Sequence, residues 1–189
     1  MQIYPHKLSG FTLIEMMVAI AIVAILIALA VPSFGTMIER SRLKALAETV
    51  YANLQFAKSE ALKGQQSNAG NVRVTFKRDG TPQCLGMIRG ASDCDCLESV
   101  TTETDFCQID GAEKRVLITD ADFPGAEISG AGDTSITFDS IRGTATNATI
   151  TLSSSTTSTM QLNVVVSTLG RIRMCVPTGQ DAITGYDGC

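Results

Sequence analysis

An apolar run of 21 residues, Phe11 to Val31, is broken by one charge, Glu15. Its length is close to the roughly 20 apolar residues that carry a helix across a bilayer. A secretory signal is cut after such a run and loses it. Here the small residue Gly10 stands before the run, and no Ala-x-Ala site follows closely, so the run is kept. His6 and Lys7 lie in the polar leader, residues 1–10, and no comparable basic cluster comes directly after the run. That asymmetry puts the leader on the cytoplasmic side. A plain single-pass anchor is the simplest alternative, but Glu15 argues against it. An acid at the centre of an inserted helix costs about 2.5–3.5 kcal/mol, less near the interface, and usually has a function.

Beyond the run, Pro32 cannot donate to the helix ladder and predicts a kink or local opening. Leu43, Leu46, Val50, Leu54, Ala57 and Ala61 then recur at three- and four-residue steps, one apolar face of an amphipathic helix. Glu39, Arg40, Arg42, Lys44, Glu48, Lys58 and Glu60 mostly fall on the other faces. Lys63-Gly64 supplies a cation and then a glycine, a suitable end.

After Gly64 the texture becomes β-like. Val72–Phe76 alternates and is followed by an Arg78-Asp79-Gly80 turn. Further strands are expected at Arg115–Thr119, Thr134–Asp139, Ala148–Leu152, Met160–Ser167 and Arg171–Val176. The predicted fold is α+β: a long N-terminal helix, transmembrane in its first half and amphipathic in its second, packed on a small antiparallel sheet domain. The expected divisions are the leader (1–10), a membrane helix (11–35), an amphipathic helix (36–64) and a β-rich domain (65–189). Within the last, a disulfide-tied insertion is expected over about 84–114, irregular over 91–114. The Ser/Thr run 153–159 reads as an exposed hairpin loop.

All six cysteines follow position 83, in the part that would be exported, where structural disulfides form. Six cysteines allow 15 pairings. Cys175 and Cys189 can close a loop containing Pro177, Gly179, Gly185 and Gly188. Cys94 and Cys96 flank only Asp95, which disfavours a bond between them. A zinc set from Cys84, Cys94, Cys96 and Cys107 lacks the usual CxxC pairs. Asp93, Asp95, Asp105 and Asp110 do not form a calcium-loop pattern and read as a solvated acidic surface. The only histidine is His6, in the leader, which removes Ser–His and Cys–His catalysis from the processed chain. No phosphate-binding glycine loop occurs. The expectation is therefore a protein with no catalytic residues, no metal, no cofactor and no small-molecule substrate.

The formal charge of −4 argues against a generally basic nucleic-acid binder. One segment is locally basic: Gly170-Arg171-Ile172-Arg173-Met174-Cys175. On a strand, Arg171 and Arg173 project together, about 7 Å apart, and could engage successive DNA phosphates. The alternative is a solvent-facing pair, or one bridged to acids such as Asp139 or Asp181.

The leader followed by Gly10-Phe11-Thr12-Leu13-Ile14-Glu15 and the apolar stretch resembles type IV pilins and pseudopilins over about the first 60 residues. That resemblance implies a prepilin peptidase cutting between Gly10 and Phe11 and N-methylating Phe11. It also implies that Glu15 pairs with the amino terminus of a neighbouring subunit, and that Pro32 accompanies local melting of the helix in the filament. Four segments are similar to the GspH/FimT/FimU group of minor pilins and pseudopilins. They are Glu39–Lys44, Leu54–Ala61, Ile136–Asp139 with Gly143, and Gly170-Arg171-x-Arg173 with Cys175. In FimT-like members a Gly-Arg-x-Arg motif is linked to DNA binding in natural transformation, whereas FimU-like members help prime the pilus. The resemblance implies a minor pilin that helps initiate or cap a type IV pilus, with double-stranded DNA as a further partner through Arg171 and Arg173. The alternative is a minor pseudopilin of a type II secretion system. Either way the expected location is the inner membrane, single-pass, with a periplasmic C-terminal domain. The expected partners are other pilins or pseudopilins.

Overall fold

Thr12 opens the single long helix, α1 (Leu13–Ser67), which runs three residues past the expected stop at Gly64. A computed structural model describes residues 10–67, 70–90, 92–100, 103–130 and 132–189, without the side chains of residues 29–33 and 65–67. Residues 1–9 of the leader and the Pro32 side chain lie outside that set. The helix continues through position 32. The chain divides into two units, residues 1–38 and 39–189. Among the described residues, no helix is long and apolar enough to cross a membrane. In the first unit the described large apolar side chains are exposed, from Phe11 at 78% to Ile38 at 50%. So much contiguous apolar surface marks a region that another surface covers.

The second unit has its own core. Leu43, Leu46, Ala47, Val50, Leu54, Ala57 and Ala61 of α1 are all fully buried, so the period read in the sequence is the packed face. Among the described residues ten strands follow: β1 (Val72–Lys77), β2 (Gln83–Arg89), β3 (Gln108–Ile109), β4 (Ala112–Glu113), β5 (Arg115–Ile118), β6 (Ala126–Ile128), β7 (Thr134–Phe138), β8 (Ala148–Ser154), β9 (Gln161–Val166) and β10 (Ile172–Cys175). They form two four-stranded sheets, ordered β5-β2-β1-β7 and β10-β9-β8-β6, and a two-stranded hairpin, β3-β4. All named pairings are antiparallel. Val74, Phe76, Leu85, Met87, Ile136 and Phe138 of the first sheet share one core with Ile150, Leu152, Leu162, Val164 and Val166 of the second and with the helix face.

Strand β2 forms the first part of the expected insertion, carrying Cys84 on an interior strand, and the irregular segment follows it as read. Leu85 and Met87 face the main core, while Cys84 and Ile88 belong to a second cluster with Cys94, Cys96 and Cys107. Burial on both faces removes the alternation by which a strand is recognised. Two disulfides build that second cluster: Cys84–Cys96 and Cys94–Cys107. All four sulfurs are thus bonded, which leaves no thiolates for a zinc set. A Cβ on Gly86 would lie 2.1 Å from the Cys107 sulfur, so glycine is needed where the bridges cross the strand. Asp110-Gly111, both at positive φ, close the β3–β4 hairpin as Asp-Gly turns do.

The acids of the insertion are largely paired. Arg73 meets Asp93 at 3.1 Å, Lys77 meets Asp95 at 2.6 Å and Arg89 meets Asp110 at 3.2 Å. The hydrogen bond from Lys77 is the main reason the Asp95 carboxyl is held below its ordinary value. Asp93, Asp105 and Asp110 are exposed, as expected of a solvated acidic surface, and Asp93, Asp95 and Asp110 also pair with cations of β1 and β2.

The Ser/Thr run is the expected hairpin loop between β8 and β9, exposed at residues 155, 156, 158 and 159, and it is also tied to the helix. Glu39 of α1 accepts hydrogen bonds from the hydroxyls of Ser154, Thr156 and Thr157, the last at 3.1 Å. Ser154 Oγ in turn accepts from the amides of Thr156 and Thr157. The Ser154 bond, then the Thr156 bond, hold the Glu39 carboxyl below its ordinary value of 4.5. A lowered folded-state value means that the unfolded chain binds more protons, so this contribution is present above pH 4.5 and is lost as pH falls through the folded-state value. Glu39→Gln should cost about 1 kcal/mol at neutral pH. Thermal unfolding of parent and variant from pH 7 to 3 should show the gap closing as pH falls. A gap independent of pH would rule out the charged latch.

Candidate assembly and nucleic-acid interfaces

At the start of α1, Thr12 Oγ1 accepts from the backbone N–H of Glu15 at 3.3 Å, and Thr12 O accepts from Met16 N–H at 3.3 Å. Thr12 is thus the N-cap and Glu15 the third helical residue, the Thr-x-x-Glu spacing of a capping box. The acid also sits at the positive end of the helix dipole. Gly10, Phe11 and Glu15 are all exposed. The first unit therefore presents a capped helix start with one carboxylate and an apolar surface behind it.

The second candidate site is the turn between β9 and β10. Gly170 N–H donates to Ser167 O at 2.8 Å, and Ser167 N–H donates to Arg171 O at 3.0 Å. This closes a tight hairpin with Leu169 at its tip and Gly170 at φ +71°. Arg171 and Arg173 are exposed, while Ile172 between them is buried. Both arginines line one open cavity of about 320 Å³ with Val165, Ser167 and Leu169. Strand β10 is a sheet edge, and the Cys175–Cys189 disulfide ties the C-terminal segment beside it. Among the described residues neither guanidinium has an ion pair. Asp139 instead accepts from the amides of Ile141 and Arg142, and Asp181 from the Thr159 hydroxyl. The acids considered as bridging partners are engaged elsewhere.

Two distant segments converge on this turn, α1 and residues 143–145. Lys58 of α1 donates to Gly170 O at 2.9 Å. Ala145 N–H donates to Thr168 O at 3.0 Å. A Cβ on Gly170 would lie 2.1 Å from Gly143 O, and one on Gly143 would lie 3.1 Å from Leu62 Cδ2. The glycine of Gly170-Arg171-x-Arg173 is thus explained by packing, and the arginines are what the packing presents.

Residues 46–170 match the family model described as type II transport protein GspH. The chain belongs to the GspH family. Residues 6–31 of this GspH-family chain match the prokaryotic N-terminal methylation motif. That motif marks a membrane-anchored pilus or pseudopilus subunit, and the family is one of structural filament proteins. Among solved structures, the chain is similar to the type IV minor pilin FimU of Pseudomonas aeruginosa, at 20% identity. The match covers 69% of this chain and 90% of that one, with a TM-score of 0.44. No curated protein matches. The GspH match ends at Gly170, so Arg171, Arg173 and the Cys175–Cys189 loop lie beyond the residues that establish the family.

Sequence reasoning placed Arg171 and Arg173 on one face but missed what positions them. Lys58 was read only as a polar-face residue, and its carbonyl partner is 112 positions away. Leu169 was missed too. An apolar residue between two turn formers, where Asn, Asp or Gly is usual, is the signal that could have found it. Thr12 was available from the Thr-x-x-Glu spacing alone.

Proposed function

We propose that this chain is a minor type IV pilin that helps initiate or cap a pilus and contacts double-stranded DNA through Arg171 and Arg173. Prepilin peptidase cuts between Gly10 and Phe11 and methylates Phe11. The processed chain waits in the inner membrane as a single-pass protein with its β-rich domain in the periplasm. Glu15 then pairs with the amino terminus of a neighbouring pilin as the exposed apolar helix enters the filament, and Pro32 gives the helix room to open there. The role is structural, with no catalysis. The observation that carries the DNA reading is a pair of exposed guanidinium groups, Arg171 closing the turn and Arg173 on the edge strand β10, which line one cavity and have no ion pair among the described residues.

Two phosphate contacts give weak binding that falls with salt, with a log–log slope of about −1.8. Arg171→Ala/Arg173→Ala should lower the affinity of the full chain in non-ionic detergent by about tenfold or more and reduce the slope by about that amount. Equal binding by parent and double variant would defeat the motif. In cells, normal pili with failed DNA uptake in the double variant supports the receptor role. Loss of pili only on deletion of the whole chain supports the priming role.

The second reading, a minor pseudopilin of a type II secretion system, is favoured by the description of the matched family. Loss of protein secretion with intact piliation in a deletion strain would decide for it.

A further inference from the structure

We propose that Leu169 is an apolar wedge for duplex DNA, inserting at a base step while Arg171 and Arg173 hold the backbone. This rests on the DNA reading above and adds what it lacks, a contact to the bases. Leu169 is 80% exposed at the tip of the β9–β10 turn. A single exposed leucine is ordinary on a protein surface; its setting is not. It borders the same cavity as two unbridged arginines. Its turn is pinned by Lys58 and Ala145 and pressed against Gly143. A tip held at several points loses little freedom on binding.

The chemistry selects duplex over single-stranded DNA. Proteins that hold single strands stack bases on aromatic rings, and the residues lining this cavity include no aromatic. Proteins that kink a duplex insert Leu, Ile, Met, Phe or Pro between base pairs beside basic contacts. The deformation is easiest at pyrimidine–purine steps such as TA. The predicted ligand is therefore duplex DNA with such a step, bent on binding. Ile141 is also exposed, on the neighbouring turn, but does not line the cavity.

The test uses the full chain in non-ionic detergent with duplexes of about 20 base pairs, with and without a central TA step, labelled at both ends to report bending. Leu169→Ser should weaken binding about tenfold, as losing a buried leucine contact does, and abolish the bend without changing the salt slope. Leu169→Met should retain both, and Ile141→Ser should behave like the parent. Parent-like binding and bending by Leu169→Ser overturns the proposal, as does tighter binding of the single strand or an equal loss in Ile141→Ser. Phosphatidylglycerol added to the micelles is the lipid control. A Leu169-dependent response to it, with none for duplex, assigns the tip to lipid and likewise overturns the proposal. If the parent binds duplex and only the arginine variant is weakened, the DNA reading survives without the wedge. If the parent binds no duplex at low salt, both fall.

Discussion

Replacing Gly170 by alanine is expected to destabilise the β-rich domain by about 2–5 kcal/mol, although residue 170 only precedes the arginines. Two costs combine. Gly170 has φ +71°, a conformation that costs an L-residue about 1–2 kcal/mol. Its Cβ would also lie 2.1 Å from Gly143 O. That atom is backbone and cannot swing away, so the chain must shift, at about 1–3 kcal/mol. For a domain of this size the melting temperature should fall by about 5–15 °C. Gly179→Ala separates the terms, because Gly179 has φ +83° but nothing within 4 Å of its Cβ; it should show only the smaller, conformational loss. Thermal unfolding of the two variants beside the parent checks this. Equal losses in both would mean that the close approach to Gly143 is not tight. If Gly170→Ala is the more destabilised, a loss of DNA binding in it reports a displaced turn, not a missing contact.

Glu15→Ala is expected to leave the domain's melting temperature within about a degree of the parent and to reduce incorporation into filaments at least about a hundredfold. Thr12 keeps its cap on the Glu15 amide in the variant, since that bond uses backbone N–H, so the helix start is retained. What is lost is the carboxylate. Around it Leu13, Ile14, Met16 and Met17 are apolar and exposed, and covering them in an assembly takes Glu15 out of water. Removing one member of a buried charge pair costs about 3–5 kcal/mol, because the other charge is left unpaired. The partner in this reading is the methylated amino group of Phe11 in the next subunit. Immunoblots of sheared filaments against the membrane pool measure the ratio. Normal incorporation of Glu15→Ala would sink the pairing role.

The helix was the most legible part of the chain. Its buried face is a periodic pattern within one continuous element, and local spacing alone specifies it. Its end was less so. Lys63-Gly64 has the composition of a stop, yet α1 continues to Ser67; glycine within a helix costs only about 1 kcal/mol, which the packing of neighbouring turns can offset. Strands β7, β8 and β9 were readable because each has one buried face. β2 was not, because the disulfide cluster on its second face makes every position from Cys84 to Met87 buried. β6, three residues long, was too short to carry a pattern.

What the sequence by itself determined is the N-terminal methylation motif with its apolar stretch, the amphipathic helix after it and the exposure of Arg171 and Arg173 on either side of a buried Ile172. Each is a relation between residues near in the chain, where backbone geometry sets the outcome. Tertiary structure alone decided the pairing of Cys84 with Cys96 and Cys94 with Cys107. Those loops span 12 and 13 residues, so chain entropy hardly distinguishes them from other pairings. It alone tied Glu39 to the hydroxyls of 154–157, and it set Lys58, Gly143 and Gly170 at one point. Contacts across more than a hundred residues leave no period in the sequence, because they exist only once two sheets and a helix have closed on a common core.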